Sequence, residues 1–200
     1  MKSRQISKEE MLDKHVVRFK DIPATGAGSK SEGGAIPRGV YEKLAAKTAY
    51  VVTAPGDDNS PWDAAKVLTP GYVSIIADCE PGHGPSLHMH DKTWETFMAL
   101  TGRWAMQWGD EGEHEVILEP YDTLAYPPGV CRTFRNISDE NAYILVLISG
   151  GVHDMDDLSF RPELGDVIAE EFGEEVRSHT EEIGFRFNAG VGVDETKAGE

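Results

Sequence analysis

The chain has 200 residues, enough for one domain with extensions, and 40% of them are hydrophobic, as in an ordinary globular protein. Its 19 basic and 35 acidic residues give a formal net charge of −16. Such a surface repels phosphate backbones and anionic lipid, so neither nucleic acid nor a membrane is expected as a partner.

The N-terminal residues 1–20 are charged throughout and lack the apolar centre of a signal peptide. No stretch of the sequence has the roughly 18 apolar residues that a membrane-spanning helix needs. We therefore expect a cytoplasmic protein. Its two cysteines, Cys79 and Cys131, are too few for a disulfide scaffold, so we expect reduced and largely buried thiols.

In chain order, a short polar helix in residues 1–20 is followed by an arm at 23–39 that is rich in Gly, Ser and Pro. Short runs rich in β-branched and aromatic residues come next, separated by Gly, Pro, Asp and Asn. These runs are 48–55, 71–79, 94–102, 103–109, 114–119, 122–128, 131–137 and 142–150. Such runs at close spacing predict an all-β sandwich or barrel.

After Val152, apolar residues at roughly helical spacing predict one or two helices. The acidic cluster HDMDD at 153–157 is more typical of a solvated loop than of a cation site. The expected organisation is an N-terminal arm with the first strand at 1–60, a β-barrel core at 61–152, and a C-terminal helical extension and tail at 153–200.

The stretch HMHDKTWE, residues 88–95, is the main candidate site. Alternate side chains of a β-strand share a face, so His88 and His90 point the same way, with Cβ atoms roughly 7 Å apart. Glu95 has the opposite parity and needs a turn, for which residues 91–93 are suited. A hairpin there would place Glu95 opposite the histidines. Two imidazoles and a carboxylate suit Fe(II), Mn(II), Co(II), Ni(II) or Zn(II).

The spacing around this stretch resembles the first motif of the cupin family at every position. Gly82 is followed after five residues by His88 and His90, after four more by Glu95, and after six more by Gly102. The resemblance extends over roughly residues 65–150.

The second cupin motif is resembled by residues 121–136, in which Pro127, Gly129 and Asn136 match. Tyr121 replaces the first glycine of that motif. Arg132 occupies the position of its metal-binding histidine.

The resemblance implies an all-β fold, a cupin-type jelly-roll β-barrel with an N-terminal arm and short C-terminal helices. It also implies ligands that face inward and a homodimer formed through barrel edges and arms. Because cupins include dioxygenases, isomerases, decarboxylases, lyases and binding proteins, the resemblance does not fix the reaction.

Arg132 leaves two main interpretations open, since a guanidinium stays charged and does not ligate a metal. In the first, His88, His90 and Glu95 hold a metal and Arg132 binds a substrate carboxylate beside it. In the second, Arg132 pairs with Glu95 and replaces the metal. His88 and His90 would then be acid–base candidates.

Two further candidates and a pocket wall complete the set. A one-residue bulge would turn Cys131 inward as a thiolate ligand, and His83 would reach in from a loop at the mouth. The period of two places Phe97 on the face of Glu95 and Phe134 on the face of Arg132. Gln107 is a further candidate for the pocket wall, although the sequence does not settle which face of its strand is inside.

We therefore expect a metal-dependent enzyme that acts on a small organic acid. Dioxygenase-type oxidation is the first candidate for its reaction, and Fe(II) is the first candidate for its metal. Arg132, His88 and His90 are its candidate catalytic residues. One alternative is a metal-independent isomerase or dehydratase in which His88 or His90 is the general base. The other is a cupin that binds a small ligand without turnover.

Overall fold

The computed structural model describes residues 3–24, 36–55, 67–150 and 157–190. Most of the predicted arm at 23–39, the first four residues of the acidic cluster at 153–157, and the tail from 191 onwards lie outside the described residues.

The described ranges contain two groups of elements, strands and short helices. The strands are β1 (Thr48–Ala54), β2 (Val67–Leu68), β3 (Tyr72–Cys79), β4 (His88–His90), β5 (Trp94–Ala99), β6 (Trp104–Trp108), β7 (His114–Leu118), β8 (Thr123–Tyr126), β9 (Arg132–Asn136), β10 (Ala142–Ser149) and β11 (Leu158–Phe160). The α-helices are α1 (Lys8–Lys14), α2 (Arg38–Leu44), α3 (Pro162–Phe172) and α4 (Glu174–Glu182), with a 3-10 helix at Phe19–Asp21. Each of the eight predicted runs contains one strand, and the helices predicted after the β-rich region are confirmed.

The strands form two sheets. The six-stranded sheet has the order β2-β1-β3-β10-β5-β8, and the five-stranded sheet has the order β11-β4-β9-β6-β7. The expected jelly-roll is confirmed, but the expected closure into a barrel is wrong. The reason lies at β4, which shares only the pair His88–Arg132 with β9, while β5 leaves to pair with β10 and β8 in the other sheet.

The main core lies between the two sheets, because alternate residues of their strands are apolar and face each other. Phe97 of one sheet packs against Phe134 of the other, with ring centroids 5.3 Å apart. Both cysteines are free and buried, as expected. Burial raises the pKa of the Cys79 thiol to about 12, so it stays protonated at neutral pH.

A second, smaller core joins the helices to the edge of the five-stranded sheet. Val40 and Leu44 of α2, Phe160 of β11, Ile168 of α3 and Phe185 form it. The element β11 therefore belongs both to a sheet and to the helical extension. No helix of the described residues is long and apolar enough to span a membrane.

Gly102, the last glycine of the first motif, has a left-handed backbone conformation that is strained for other residues. Its φ is +68°, and a Cβ there would lie 2.6 Å from Ala142 Cβ and 2.5 Å from Ser138 Oγ. Ser138 has little freedom to move away, since its Oγ accepts the Arg103 N–H at 2.7 Å. Both the backbone conformation and the lack of space explain the glycine.

We expect Gly102→Ala to lower the free energy of unfolding by about 2–4 kcal/mol, the sum of left-handed strain and overpacking. Urea unfolding monitored by tryptophan fluorescence measures it. Gly71→Ala is the matched control, because Gly71 also has a positive φ (89°) but nothing within 4 Å of its Cβ position. An equal loss in both variants would show that crowding at Ala142 and Ser138 contributes nothing.

Candidate metal centre

The candidate site lies between the two sheets, where each contributes side chains. His88 and His90 lie on β4 and Arg132 on β9 of the five-stranded sheet, whereas Glu95 lies on β5 of the six-stranded sheet. The predicted β4–β5 hairpin is therefore wrong. Residues 91–93 carry the chain from one sheet to the facing one, which brings Glu95 towards the histidines despite its opposite parity.

Three potential ligand atoms converge in this space. The Nε2 atoms of His88 and His90 lie 3.9 and 3.8 Å from Oε2 of Glu95. All three residues are buried, and their ligand atoms lie within 4.8 Å of one another. An ion placed among them would be largely shielded from solvent.

His88 presents a lone pair to this space. Its Nδ1 lies 2.8 Å from the carbonyl oxygen of Ser86, and a carbonyl only accepts, so Nδ1 carries the proton and donates. Burial, together with the nearby charge of Arg132, lowers the pKa of His88 to about 3. The ring is therefore neutral at physiological pH, and its Nε2 is an acceptor.

His90 is oriented in the same sense by a carboxylate. Its Nδ1 lies 2.9 Å from Oδ2 of Asp157 and 2.9 Å from Oγ1 of Thr93. Burial acts to raise the pKa of Asp157, but hydrogen bonds from His90, Thr93 and the Lys92 N–H outweigh it and lower the pKa to about 2. Asp157 therefore accepts a hydrogen bond on the Nδ1 side of the His90 ring, while Nε2 of the same ring faces Glu95.

Arg132 is paired with Glu95. Its Nε and Nη2 donate to Oε2 of Glu95 at 3.0 and 2.7 Å, and its Nη1 donates to the Val130 carbonyl at 3.2 Å. Burial acts to raise the pKa of Glu95, but the Arg132 guanidinium, together with His90 and His88, outweighs it and lowers the pKa to about 2. The contact expected under the metal-free interpretation is thus present, and it leaves Oε2 facing both the guanidinium and the histidines.

The donor set fits a divalent transition metal. Two imidazole nitrogens and one carboxylate oxygen are ligand types that such an ion takes, and the other nitrogen of each histidine lies at hydrogen-bond distance from an oxygen, of Ser86 or of Asp157. Nε2 of His88 and Nε2 of His90 lie 3.9 and 3.8 Å from Oε2 of Glu95, too far for a direct hydrogen bond. The Arg132 charge opposes an ion, although Glu95 lies between the two and partly screens it.

Residues 75–148 match the family model of the cupin domain. This part of the chain is a cupin domain. The match includes both motifs, with the Arg132 substitution in the second. No curated protein matches the sequence.

Solved structures of similar fold include a cupin-superfamily sugar phosphate isomerase from Silicibacter pomeroyi, with 20% identity, 67% of this chain and 74% of that chain covered, and a TM-score of 0.47. The KdgF protein from a Halomonas species has 14% identity, coverages of 52% and 77%, and a TM-score of 0.41. An uncharacterised protein with a double-stranded β-helix domain from Klebsiella pneumoniae has 19% identity, coverages of 42% and 72%, and a TM-score of 0.39. At these identities the likeness concerns the fold alone.

The predicted pocket wall of the cupin domain is only partly assembled around the site. Phe97 and Phe134 are buried beside it, and Phe97 also packs against Tyr126, with ring centroids 5.9 Å apart. Gln107 is not brought to the site, since its amide donates to Glu115 at 2.9 Å on the opposite face of β6 from Met106.

The two other candidates lie elsewhere. Cys131 precedes β9 without turning into the ligand cluster, and burial raises the pKa of its thiol. The alternative with a bulge at Cys131 is not found, because Arg132 itself is the residue paired with His88. His83 stays in its exposed turn, where its backbone N–H donates to the Glu80 carbonyl and its own carbonyl accepts the Asn136 N–H.

The sequence did not identify two residues of the site. Asp157 was expected in a solvated loop but is 3% exposed and contacts His90. The acidic cluster was the signal, although nothing in it distinguishes Asp157 from its neighbours. Tyr126 lies opposite Glu95 in the β5–β8 register, and its hydroxyl donates to the Gln107 carbonyl at 3.3 Å. Its place in the second-motif strand was the only indication.

Proposed function

We propose that this cupin is a metal-dependent enzyme that acts on a small organic acid. The observation that supports the proposal is the convergence of His88 Nε2, His90 Nε2 and Glu95 Oε2, with both histidine tautomers set by hydrogen bonds on the far side of each ring. A site that worked through the histidines as free bases would not need three acceptors directed at one point. Fe(II) is the foremost candidate, with Mn, Co, Ni or Zn as further possibilities.

When bound, such an ion supplies Lewis-acid polarisation of a substrate oxygen, and Fe(II) also supplies oxygen-dependent oxidation. His88 and His90 would bind it as neutral ligands, and Glu95 would contribute one negative charge. Arg132 would hold the Glu95 carboxylate in place through its two N–H donors. The guanidinium charge would also favour an anionic substrate, since the ion and Arg132 together exceed the charge of Glu95.

A second candidate is metal-independent, and the Arg132–Glu95 pair favours it. This pair is electrically neutral, with Arg132 1% exposed and Glu95 6% exposed, so the guanidinium already supplies a cation at the carboxylate. His88 or His90 would then act as the general base of an isomerase or dehydratase, or the cupin would bind a ligand without turnover. Neither Nε2 has the geometry of a hydrogen bond to Glu95 at 3.8–3.9 Å, which leaves both lone pairs available to a substrate.

The test is metal content in protein purified without a histidine tag. The protein is stripped with a chelator, reloaded separately with Fe(II), Mn(II), Co(II), Ni(II) and Zn(II), desalted, and measured by plasma mass spectrometry. We expect about one ion per chain in the wild type and almost none in His88→Ala, which removes one of the three converging donors among the described residues. The control is His114→Ala, since His114 is an exposed histidine on β7.

Oxygen uptake with a panel of small aliphatic and aromatic acids then tests the reaction. Uptake that depends on both metal and acid supports an oxygenase. Metal without uptake limits the proposal to isomerisation, decarboxylation or elimination. Equal metal retention in wild type and His88→Ala, or none in either, would overturn metal dependence, and chelator-resistant turnover would establish the second candidate.

A further inference from the structure

Asp157 lies at the edge of the described C-terminal extension, outside the matched cupin domain at 75–148, yet it contacts the site. Its Oδ2 accepts from His90 Nδ1 at 2.9 Å and from Thr93 Oγ1 at 2.5 Å, and its Oδ1 accepts the Lys92 N–H at 2.7 Å. Its backbone carbonyl accepts the Asp91 N–H at 3.0 Å. Four contacts thus bind Asp157 to the segment that carries the second histidine.

We propose that Asp157 is the positioning residue that fixes the tautomer of His90, and so makes His90 able to bind the ion. The inference rests on the proposed metal dependence. It adds that the extension, and not the cupin domain alone, completes the site.

Binding of an ion by His90 depends on which nitrogen of its ring carries the proton. With the proton on Nδ1, the ring donates to Asp157 and directs the Nε2 lone pair at the site. With the proton on Nε2, the Nδ1 lone pair would face a carboxylate oxygen at 2.9 Å, which is repulsive, and an N–H would point to where the ion binds. The Asp157 charge therefore selects the tautomer that ligation needs.

The backbone of the extension keeps the carboxylate in place. Strand β11 pairs with β4 in the register Leu158–His90 and Phe160–His88, and Phe160 packs its ring 5.5 Å from that of His88. Phe160 also belongs to the core that the helices form. Docking of the extension and orientation of both histidines are thus coupled through one short strand.

The isosteric variant Asp157→Asn makes the proposal testable, because the Lys92 N–H decides how the new amide is oriented. That N–H donates to Oδ1, so the amide oxygen takes the Oδ1 position and the amide NH2 takes the Oδ2 position. The NH2 then donates to Nδ1 of His90, which forces the proton to Nε2. Thr93 Oγ1 can accept the other amide proton, and its own O–H, which donates to Oδ2 in the wild type, loses that acceptor.

The experiment measures the tautomer and the metal affinity separately. Long-range 15N–1H correlation spectra of the metal-free protein distinguish the two tautomers, and His90→Gln assigns the signal. Co(II) affinity is titrated by its visible absorption. In the wild type we expect His90 protonated at Nδ1. In Asp157→Asn we expect Nε2 protonation and roughly 10–100-fold weaker Co(II) binding. The control Asp166→Asn makes the same charge change at an exposed site on α3 and should alter neither.

Failure of this inference is distinguishable from failure of the proposed function. If the wild type binds no Co(II), metal dependence is overturned. If it binds Co(II) and Asp157→Asn binds it equally well, Asp157 is only a structural contact. Nε2 protonation of His90 in the wild type overturns the inference without any variant, so the test remains decisive even if Asp157→Asn fails to fold.

Discussion

Replacement of Arg132 by methionine is expected to lower the free energy of unfolding by about 3–5 kcal/mol at neutral pH. The variant keeps a long apolar side chain but leaves the Glu95 carboxylate buried without its cation. In the native protein Oε2 of Glu95 accepts two N–H groups of Arg132 at 3.0 and 2.7 Å, so both bonds are lost together. Urea unfolding of the metal-free protein, monitored by circular dichroism, measures the change.

The pH dependence identifies the charge as the cause. In the wild type the pKa of Glu95 is about 2 when folded, below its ordinary value of 4.5. Its contribution to stability is therefore complete above about pH 4.5 and is lost as the pH falls towards 2. In Arg132→Met burial without a partner raises the pKa of Glu95, so this variant loses stability as the pH rises through that raised value. The difference in the free energy of unfolding between the wild type and Arg132→Met should therefore become smaller from pH 7 to pH 4.

Two controls separate the pair from general damage. The double variant Arg132→Met, Glu95→Leu removes both charges and should recover most of the loss, because a buried pair is often replaceable by apolar side chains. Arg103→Met breaks the exposed Arg103–Glu119 pair and should cost no more than about 1 kcal/mol. A gap that stays constant with pH would mean that packing of the guanidinium, and not its charge, stabilises this region.

The sequence predicted the strands and the histidine pair because these depend on local patterns. A period of two identifies strands, and the fixed distances in the first motif identify His88, His90 and Glu95 as a set. The same parity argument led to a hairpin, which the structure does not contain. Parity states that Glu95 faces away from the histidines on one straight strand, but it does not distinguish a hairpin from a crossing into a facing sheet.

The closed barrel was expected from family resemblance, and only the hydrogen-bond register could correct it. Whether β4 pairs along its length with β9 depends on residues far apart in the chain, and no pattern within a single strand records it. The observed single pair between His88 and Arg132 is such a long-range fact. The pair lies at the site, since Arg132 also donates to Glu95 of the other sheet.

Asp157 shows why the outer part of the site was beyond sequence reasoning. It lies 67 positions from His90, and its type is common in solvated loops. Its burial results from the pairing of β11 with β4, which in turn depends on the helical core behind Phe160. By contrast, the conflict at Arg132 was visible in the sequence, because a charged residue at a ligand position has to find a counter-charge.

The substitution Arg132→His is expected to raise metal affinity, and it separates the two proposed functions. It removes a positive charge from beside the ion and places an imidazole opposite His88 in the β4–β9 register, at the position of the missing motif histidine. At an effective dielectric of about 20, unit charges about 4 Å apart interact by about 4 kcal/mol. Glu95 screens the guanidinium, so the variant gains only part of this interaction energy in Co(II) binding. We expect its Co(II) dissociation constant to be at least roughly tenfold lower than that of the wild type.

Titration of apo protein with Co(II) measures this, beside Arg135→His as the matched control, since Arg135 is exposed on the same strand. Tight Co(II) binding by the wild type and tighter binding by Arg132→His support a metal centre. Arg132 would then lower the affinity for the ion while adding a positive charge to the site. Anionic inhibitors should then bind the variant more weakly, because that charge is gone. Binding by Arg132→His alone would mean that the guanidinium has replaced the ion, as the metal-independent candidate requires. If neither protein binds Co(II), metal dependence is overturned, and a histidine at position 132 does not restore a metal site.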